Sequence, residues 1–174
     1  DAHSADGREH HADWKQHHFE GLAAFFGQTR LNMFGIHDKK TDPDGEPLEY
    51  VIEDPDTLEK RTVKPAVPFL TELLPEEGSR RERFAAWITH PKNRRFQRAT
   101  ANRVWALMFG RHYTYPHYPV DDLPDPEDSD TKCDTKVLDI LGEDFREHGY
   151  DLRRLILAIT STRAFRMSSS HPID

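Results

Sequence analysis

Cysteine is almost missing from this chain: Cys133 is the only one in 174 residues. With no second thiol there can be no internal disulfide framework and no cysteine-rich metal knot, and the redox compartment stays open on that count. Long apolar runs are also missing. No stretch approaches the roughly 18 residues that mark a membrane-spanning helix, and nothing near the start has the basic, apolar and small-residue order of a signal peptide. The chain opens on Asp1 rather than Met, which leaves room for an upstream signal or domain. Apolar residues make up only 36% of the chain against 32% charged ones. Such a balance predicts a small core under much solvated helix and loop surface. Net positive charge is lacking as well. The formal charge of −7 argues against whole-molecule attraction to nucleic acid or to an anionic membrane, while leaving room for local segregation.

The segregation is marked. From Arg80 to Arg111 there are nine Lys or Arg against one acid, Glu82; from Tyr113 to Asp151 there are three Lys or Arg against twelve Asp or Glu. The two stretches are expected to face and neutralise each other.

The apolar periodicity predicts a mainly α fold of about five helices with one small β-hairpin. Residues 1–12 carry His3, His10 and His11 without an apolar period and read as a loose lead-in. Asp13 with Gln16 fits a capping box opening a helix over about 14–30, with Trp14, Phe19, Leu22, Phe25 and Phe26 on its apolar side and Gly21 as a weak point. Residues 37–47 read as an exposed loop. Two β-prone runs, 48–52 and 61–64, flank the turn-forming Asp54-Pro55-Asp56-Thr57 and read as the hairpin, ended by Pro65 and Pro68. From Ser79 the period is helical. Phe84, Trp87 and Ile88 share a face until Pro91, and a further helix runs to Phe109 and closes at Gly110. Its turn from Val104 to Phe109 is apolar on all sides, which predicts a central rod buried all round. Residues 112–133 form a long Pro- and Asp-rich connection, a length more often functional or disordered than incidental. Two helices follow, one over 135–148 ended by Gly149 and one capped by Asp151 with Leu152, Leu155, Ile156 and Ile159 inward. The tail from Ser168 reads as frayed. This gives an N-terminal segment 1–36, a connector 37–78 and a helical part 79–174, expected to form one compact unit.

Two long segments resemble known families. Arg80 to Arg111, Val120-Asp121-Asp122-Leu123, Leu138 to Phe145, His148 to Ile156 and Ser161 to Ser169 together are similar to domain of unknown function 1553. Trp14-Lys15-Gln16 and Phe19 to Phe26 resemble the end of its partner family, domain of unknown function 1549, with the 48–70 hairpin as the join. The resemblance implies a piece of a large, secreted, multidomain protein of planctomycete type, located extracytoplasmically, often with cytochrome-c-like neighbours and polysaccharide-degrading enzymes nearby. It brings no activity. The Cys-x-x-Cys-His run that commonly precedes the tryptophan in the partner family is replaced here by His3-Ser4-Ala5-Asp6-Gly7, so covalent haem attachment through it is not available, and no cofactor is expected.

Several groups of residues invite a chemical reading. Asn102, Arg103, Trp105 and Arg111 surround the apolar turn and read either as an anion- or sugar-binding pocket or as a structural clamp on the long connection. The clamp carries the greater weight, because ion-pair networks generate such clusters too. A buried Arg103 would need a carboxylate, with Asp121 or Asp122 first in line and Glu143 or Asp144 next. The same Asp121, Asp122 and Glu143 are the acid–base candidates if the domain acts on polysaccharide, which would require a carboxylate pair about 5–10 Å apart across an open cleft. His10, His11, His17 and His18 lack ligand spacing, and no metal site is assigned to them. Asp125, Glu127, Asp128, Asp130 and Asp134 could offer hard oxygens to calcium but lack the central glycine of the calcium loop, so a solvated loop is expected. Arg80, Arg81, Arg83, Lys92, Arg94, Arg95 and Arg98 raise nucleic acid, against which stand the total charge and the acidic stretch that can neutralise them. Cys133 sits among acids that raise a thiol's pKa, and Ser168 to Ser170 have no glycine elbow, so neither reads as a nucleophile. The expected role is a non-catalytic interaction or scaffold module, engaging other domains of the same polypeptide and a glycan or envelope partner, with no nucleic acid and no membrane span.

Overall fold

The computed structural model describes residues 14–55 and 57–167. The chain is mainly α, with five α-helices and two small antiparallel hairpins among the described residues. Close contacts divide it into two compact units, residues 1–87 and 88–174.

In the first unit α1 spans Gln16–Ala24. Its start is closed by the Lys15 N–H, which donates to His18 Nδ1 at 3.3 Å; the expected cap, Asp13, lies outside the described residues. The helix stops six residues short of the expected end because residues 25–28 turn away and feed a hairpin, β1 (Thr29–Asn32) against β2 (Gly35–Asp38). Part of what reads as helix end and loop is therefore strand. The sequence signal misleads here because the turn between the strands is Met33-Phe34 rather than a polar pair. The expected hairpin is present as β3 (Tyr50–Glu53) and β4 (Lys60–Val63). Gly21 is a point of close approach and not simply a weak point: a Cβ there would sit 2.9 Å from the Ala66 carbonyl oxygen, and the Ala66 N–H donates to Gly21 O at 3.1 Å.

The rest of this unit packs around aromatic rings. α2 (Arg80–Ile88) brings Phe84 to Phe25 and Phe26, and Trp87 to Phe69. Trp87 is buried, and its indole N–H donates to Phe69 O at 3.2 Å, so the polar end of the ring is satisfied where water cannot reach it. Glu20, also buried, takes a 2.6 Å hydrogen bond from the Arg61 guanidinium.

The second unit is built on α3 (Arg95–Phe109), α4 (Lys136–Glu147) and α5 (Leu152–Thr160). Its core holds Ala101, Val104, Leu138, Leu141, Phe145, Leu155 and Ile159. Asp151 caps α5 as its position predicts, accepting from the Arg153 and Arg154 N–H groups. The helices α3 and α4 meet at Gly142, where a Cβ would stand 3.0 Å from Gln97 Cγ and 3.3 Å from the Gln97 carbonyl carbon.

The apolar turn of α3 is not buried all round. Val104 is buried, and Trp105, Met108 and Phe109 are half-buried, but Leu107 is 77% exposed. The reason is angular. At about 100° per residue, Gln97, Ala101, Val104 and Met108 share one arc, which α4 and α5 cover, while Leu107 lies about a quarter-turn round from the middle of that arc, next to the exposed Arg103. An unbroken apolar run in sequence can outreach the neighbours available to cover it.

Candidate functional site

The long connection between α3 and α4 has a simple physical problem. Rich in proline and without strand or helix partners, residues 112–133 carry backbone carbonyls that no regular ladder satisfies. The second arc of α3 supplies the donors. Arg94, Arg98 and Asn102 are spaced four apart, so they stand in a row along the helix. Arg94 Nη2 donates to Pro126 O at 2.6 Å, Arg98 Nη1 to Pro124 O at 2.8 Å, and Asn102 Nδ2 to Val120 O at 3.1 Å. The connection runs back along the helix, antiparallel to it, held at each step by one side chain. Asn102 uses both ends of its amide, since its Oδ1 also accepts the Tyr113 N–H at 2.9 Å.

Charge pairing reinforces the row. Arg98 is only 2% exposed. Burial disfavours its charge and pushes its pKa down, and the Asp139 carboxylate, 3.1 Å from Nε, pulls the other way. Arg95 hydrogen-bonds Asp125 and lies 3.8 Å from Glu127, which Arg94 also approaches at 3.8 Å. Arg103 meets Asp121 at 2.6 Å, the carboxylate first in line for it. Arg103 is not buried, however: the pair lies in solvent, with side-chain exposures of 63% and 59%. Among the described residues the buried guanidinium is that of Arg98, five residues earlier.

The remaining sequence candidates fall around this frame. Trp105 stacks on Phe109 with ring centroids 4.3 Å apart and meets Tyr113 edge-on at 5.1 Å. Arg111 and Asp122 are exposed. Glu143 lies on α4, hydrogen-bonded to Arg146, and Asp144 is held by a double hydrogen bond from Arg154. That bond keeps the Asp144 carboxyl below its ordinary range. An open groove is lined by Arg94, Asp139, Ile140, Glu143, Asp144 and Glu147. Its carboxylates at 139, 143, 144 and 147 each lie beside an arginine.

The acidic run is occupied in a similar way. Asp125 and Glu127 face α3, Asp128 Oδ1 accepts the Asp130 N–H, and Asp134 Oδ1 accepts the Lys136 N–H. Among the described residues no group of three or more His, Cys, Asp or Glu is arranged to hold a metal ion. His17 and His18 lie ring to ring at 4.1 Å, with His18 engaged at the start of α1; His3, His10 and His11 lie outside the described residues. Cys133 is half-buried, and burial together with Asp134 pushes its thiol up.

The basic stretch is neutralised from two sources, not one. Arg94, Arg95, Arg98 and Arg103 pair with the acidic connection and α4, as the charge pattern suggests. Arg80 and Arg81 instead pair with Glu49 at 2.5 Å and Asp38 at 2.7 Å in the first unit, and Arg83 donates to Pro75 O. Sequence reading groups these side chains as one stripe and misses the role of Arg94 and Arg98. The four-residue spacing of Arg94, Arg98 and Asn102 is the signal that identifies them.

Neither the curated proteins nor the solved structures offer a match to the chain. One family profile does match, over residues 80–173, which is more than half of the chain and includes all of α3, the clamped connection, α4 and α5. This chain belongs to that family, described as PSD1, protein of unknown function (DUF1553).

Proposed function

We propose that the chain is a non-catalytic interaction or scaffold module of a larger extracytoplasmic protein of planctomycete type, engaging other domains of the same polypeptide and a glycan or envelope partner. The observation that carries this reading is the engagement of two of the three acid–base candidates and of Asn102. Asp121 is on Arg103, Glu143 is on Arg146, and both ends of the Asn102 amide hold backbone. A carboxylate already engaged by an arginine is less available to meet a substrate atom within hydrogen-bond reach, which acid–base work requires. What the clamp leaves at the surface is a mixed rim of Arg111, Tyr115, His117 and Asp122, all exposed, of the amphipathic kind that suits recognition more than proton transfer. The N-terminal helix region is read as the end of domain of unknown function 1549, on its resemblance at residues 14–26. Secretion, cytochrome-c-like neighbours and association with polysaccharide enzymes belong to the same proposal.

The test is a glycan-array and thermal-shift screen on the full chain, with and without calcium, alongside an assay for reducing ends released from the glycans that bind. Binding without turnover is the expected result. Turnover that disappears in Asp121→Asn, Asp122→Asn or Glu143→Gln would replace this reading with a polysaccharide-acting enzyme. Fractionation of the source cells tests location, and a cytoplasmic pool alone would contradict it.

A further inference from the structure

The hairpin of β1 and β2 ends in an unusual way for a solvent-facing turn. Its register pairs Arg30 with His37, Leu31 with Ile36 and Asn32 with Gly35, leaving Met33 and Phe34 at the tip. Asn32 Oδ1 accepts the Phe34 N–H at 2.8 Å and so fixes the turn without any help from the two apolar side chains. Met33 and Phe34 are each 95% exposed, Leu31 is 79% exposed and Ile36 is 64% exposed. Four large apolar side chains on six consecutive residues exceed the scattered exposure normal on a protein surface. The two strands pair with each other and with no other strand among the described residues.

Charge behind the tip is positive, carried by Arg30, Lys39 and Lys40. Cross-strand alternation sets Arg30 and His37 on the face opposite Leu31 and Ile36. Lys39 and Lys40 follow directly, all four being exposed. The one acid in this stretch, Asp38, is taken by Arg81 at 2.7 Å. The acids Asp42, Asp44 and Glu46 follow in the loop beyond the end of β2.

We propose that this hairpin is a membrane-docking wedge that inserts Met33 and Phe34 into the interface of an anionic lipid bilayer. Spacing supports that occupant. A strand rises about 3.3 Å per residue, so Arg30 and His37 stand about 10 Å behind the tip and Lys39 and Lys40 about 17–20 Å behind it. An apolar element buried about 5–10 Å into the headgroup and acyl boundary then sets the first pair among the phosphates. The two lysines stay just outside, within about one Debye length of the surface. A convex tip with side chains splayed in several directions suits a fluid interface, which needs no shape complementarity. The formal charge of −7 opposes long-range attraction, so the contact is short-ranged and salt-sensitive. This proposal is independent of the glycan or envelope reading above.

The full chain is tested by co-sedimentation with vesicles of phosphatidylcholine alone and of equimolar phosphatidylcholine and phosphatidylglycerol. Binding to the anionic vesicles is expected to exceed binding to the neutral ones and to fall with added salt. Met33→Ser with Phe34→Ser should weaken it about ten-fold or more, since burying one Phe or Met side chain alone accounts for such a factor. Lys39→Glu with Lys40→Glu should remove the preference for the anionic lipid. Both pairs lie at exposed positions, and far-UV circular dichroism checks that they leave the fold unchanged. In a Phe34→Trp variant, added quenching by brominated acyl chains reports insertion directly. The proposal is overturned by a chain that ignores both vesicles, by binding that survives the serine pair, or by tip-dependent self-association without lipid binding.

Discussion

Replacing Arg98 by methionine tests how much the inward-facing row on α3 contributes. The substitution keeps most of the volume, so little cavity is created, but it removes the donor to Pro124 O at 2.8 Å and the cation 3.1 Å from Asp139. An orphaned buried carbonyl costs about 1–3 kcal/mol. Removing one partner of a buried ion pair costs about 3–5 kcal/mol. Here the lower end applies, because Asp139 is a third exposed and Arg94 Nη1 remains 3.8 Å from it. The two losses share one guanidinium and are not summed, which leaves about 3 kcal/mol. With a urea dependence of about 2 kcal/mol per molar, the midpoint should fall by about 1.5 M. The transition is best followed on resolved amide signals of Leu138 and Leu155, both buried in the second core, so that the readout reports the unit that holds Arg98. Adding Asp139→Asn removes the stranded carboxylate, so the double variant should be more stable than Arg98→Met alone. A shift below about 0.5 M, or a double variant worse than the single, would refute the reasoning.

Gly142→Val should destabilise the second unit by about 1–3 kcal/mol through overpacking against Gln97, where a Cβ alone already stands 3.0 Å away; an unchanged melting temperature would show that α3 and α4 do not meet there. Cys133 should react with iodoacetamide more slowly at pH 7.5 than a free thiol, because burial and Asp134 hold its thiol up, and a rate equal to that of glutathione would contradict this. Asp144 is held below its ordinary range by Arg154. The stabilisation it adds is therefore complete above the unfolded carboxyl range and is lost as pH falls through the lower, folded value. The gap in urea midpoint between the wild type and Asp144→Asn should accordingly close in acid, and a gap independent of pH would count against the pair.

Residue order carries the helical half of this fold well. Gly110, Asp151 and the period of Leu138, Leu141 and Phe145 place α3, α4 and α5 because each local signal agrees with the packing that follows. The first unit is harder to read. The hairpin of β1 and β2 has four-residue strands and an apolar turn, so it carries neither alternation nor turn chemistry strong enough to outweigh the phenylalanines of α1 just before it. At the candidate site the pairing of Arg103 with Asp121 follows from charge, but its exposure depends on which arc of α3 has neighbours. Arg98 could not be singled out by composition. It differs from Arg95 and Arg103 only in its angle on the helix, which the sequence states through the spacing of Arg94, Arg98 and Asn102 and through nothing else.

The backbone amide of Tyr113 gives the most direct test of the clamped connection. It lies outside any helix or strand, yet it donates to Asn102 Oδ1 at 2.9 Å, and Asn102 is fully buried. Hydrogen exchange at this amide in the wild-type chain should be protected to a degree comparable with the amides of α3, and Asn102→Ala should abolish that protection while leaving Leu155 slow. Exchange at the free-peptide rate in the wild type would contradict a connection held on α3 by its side chains.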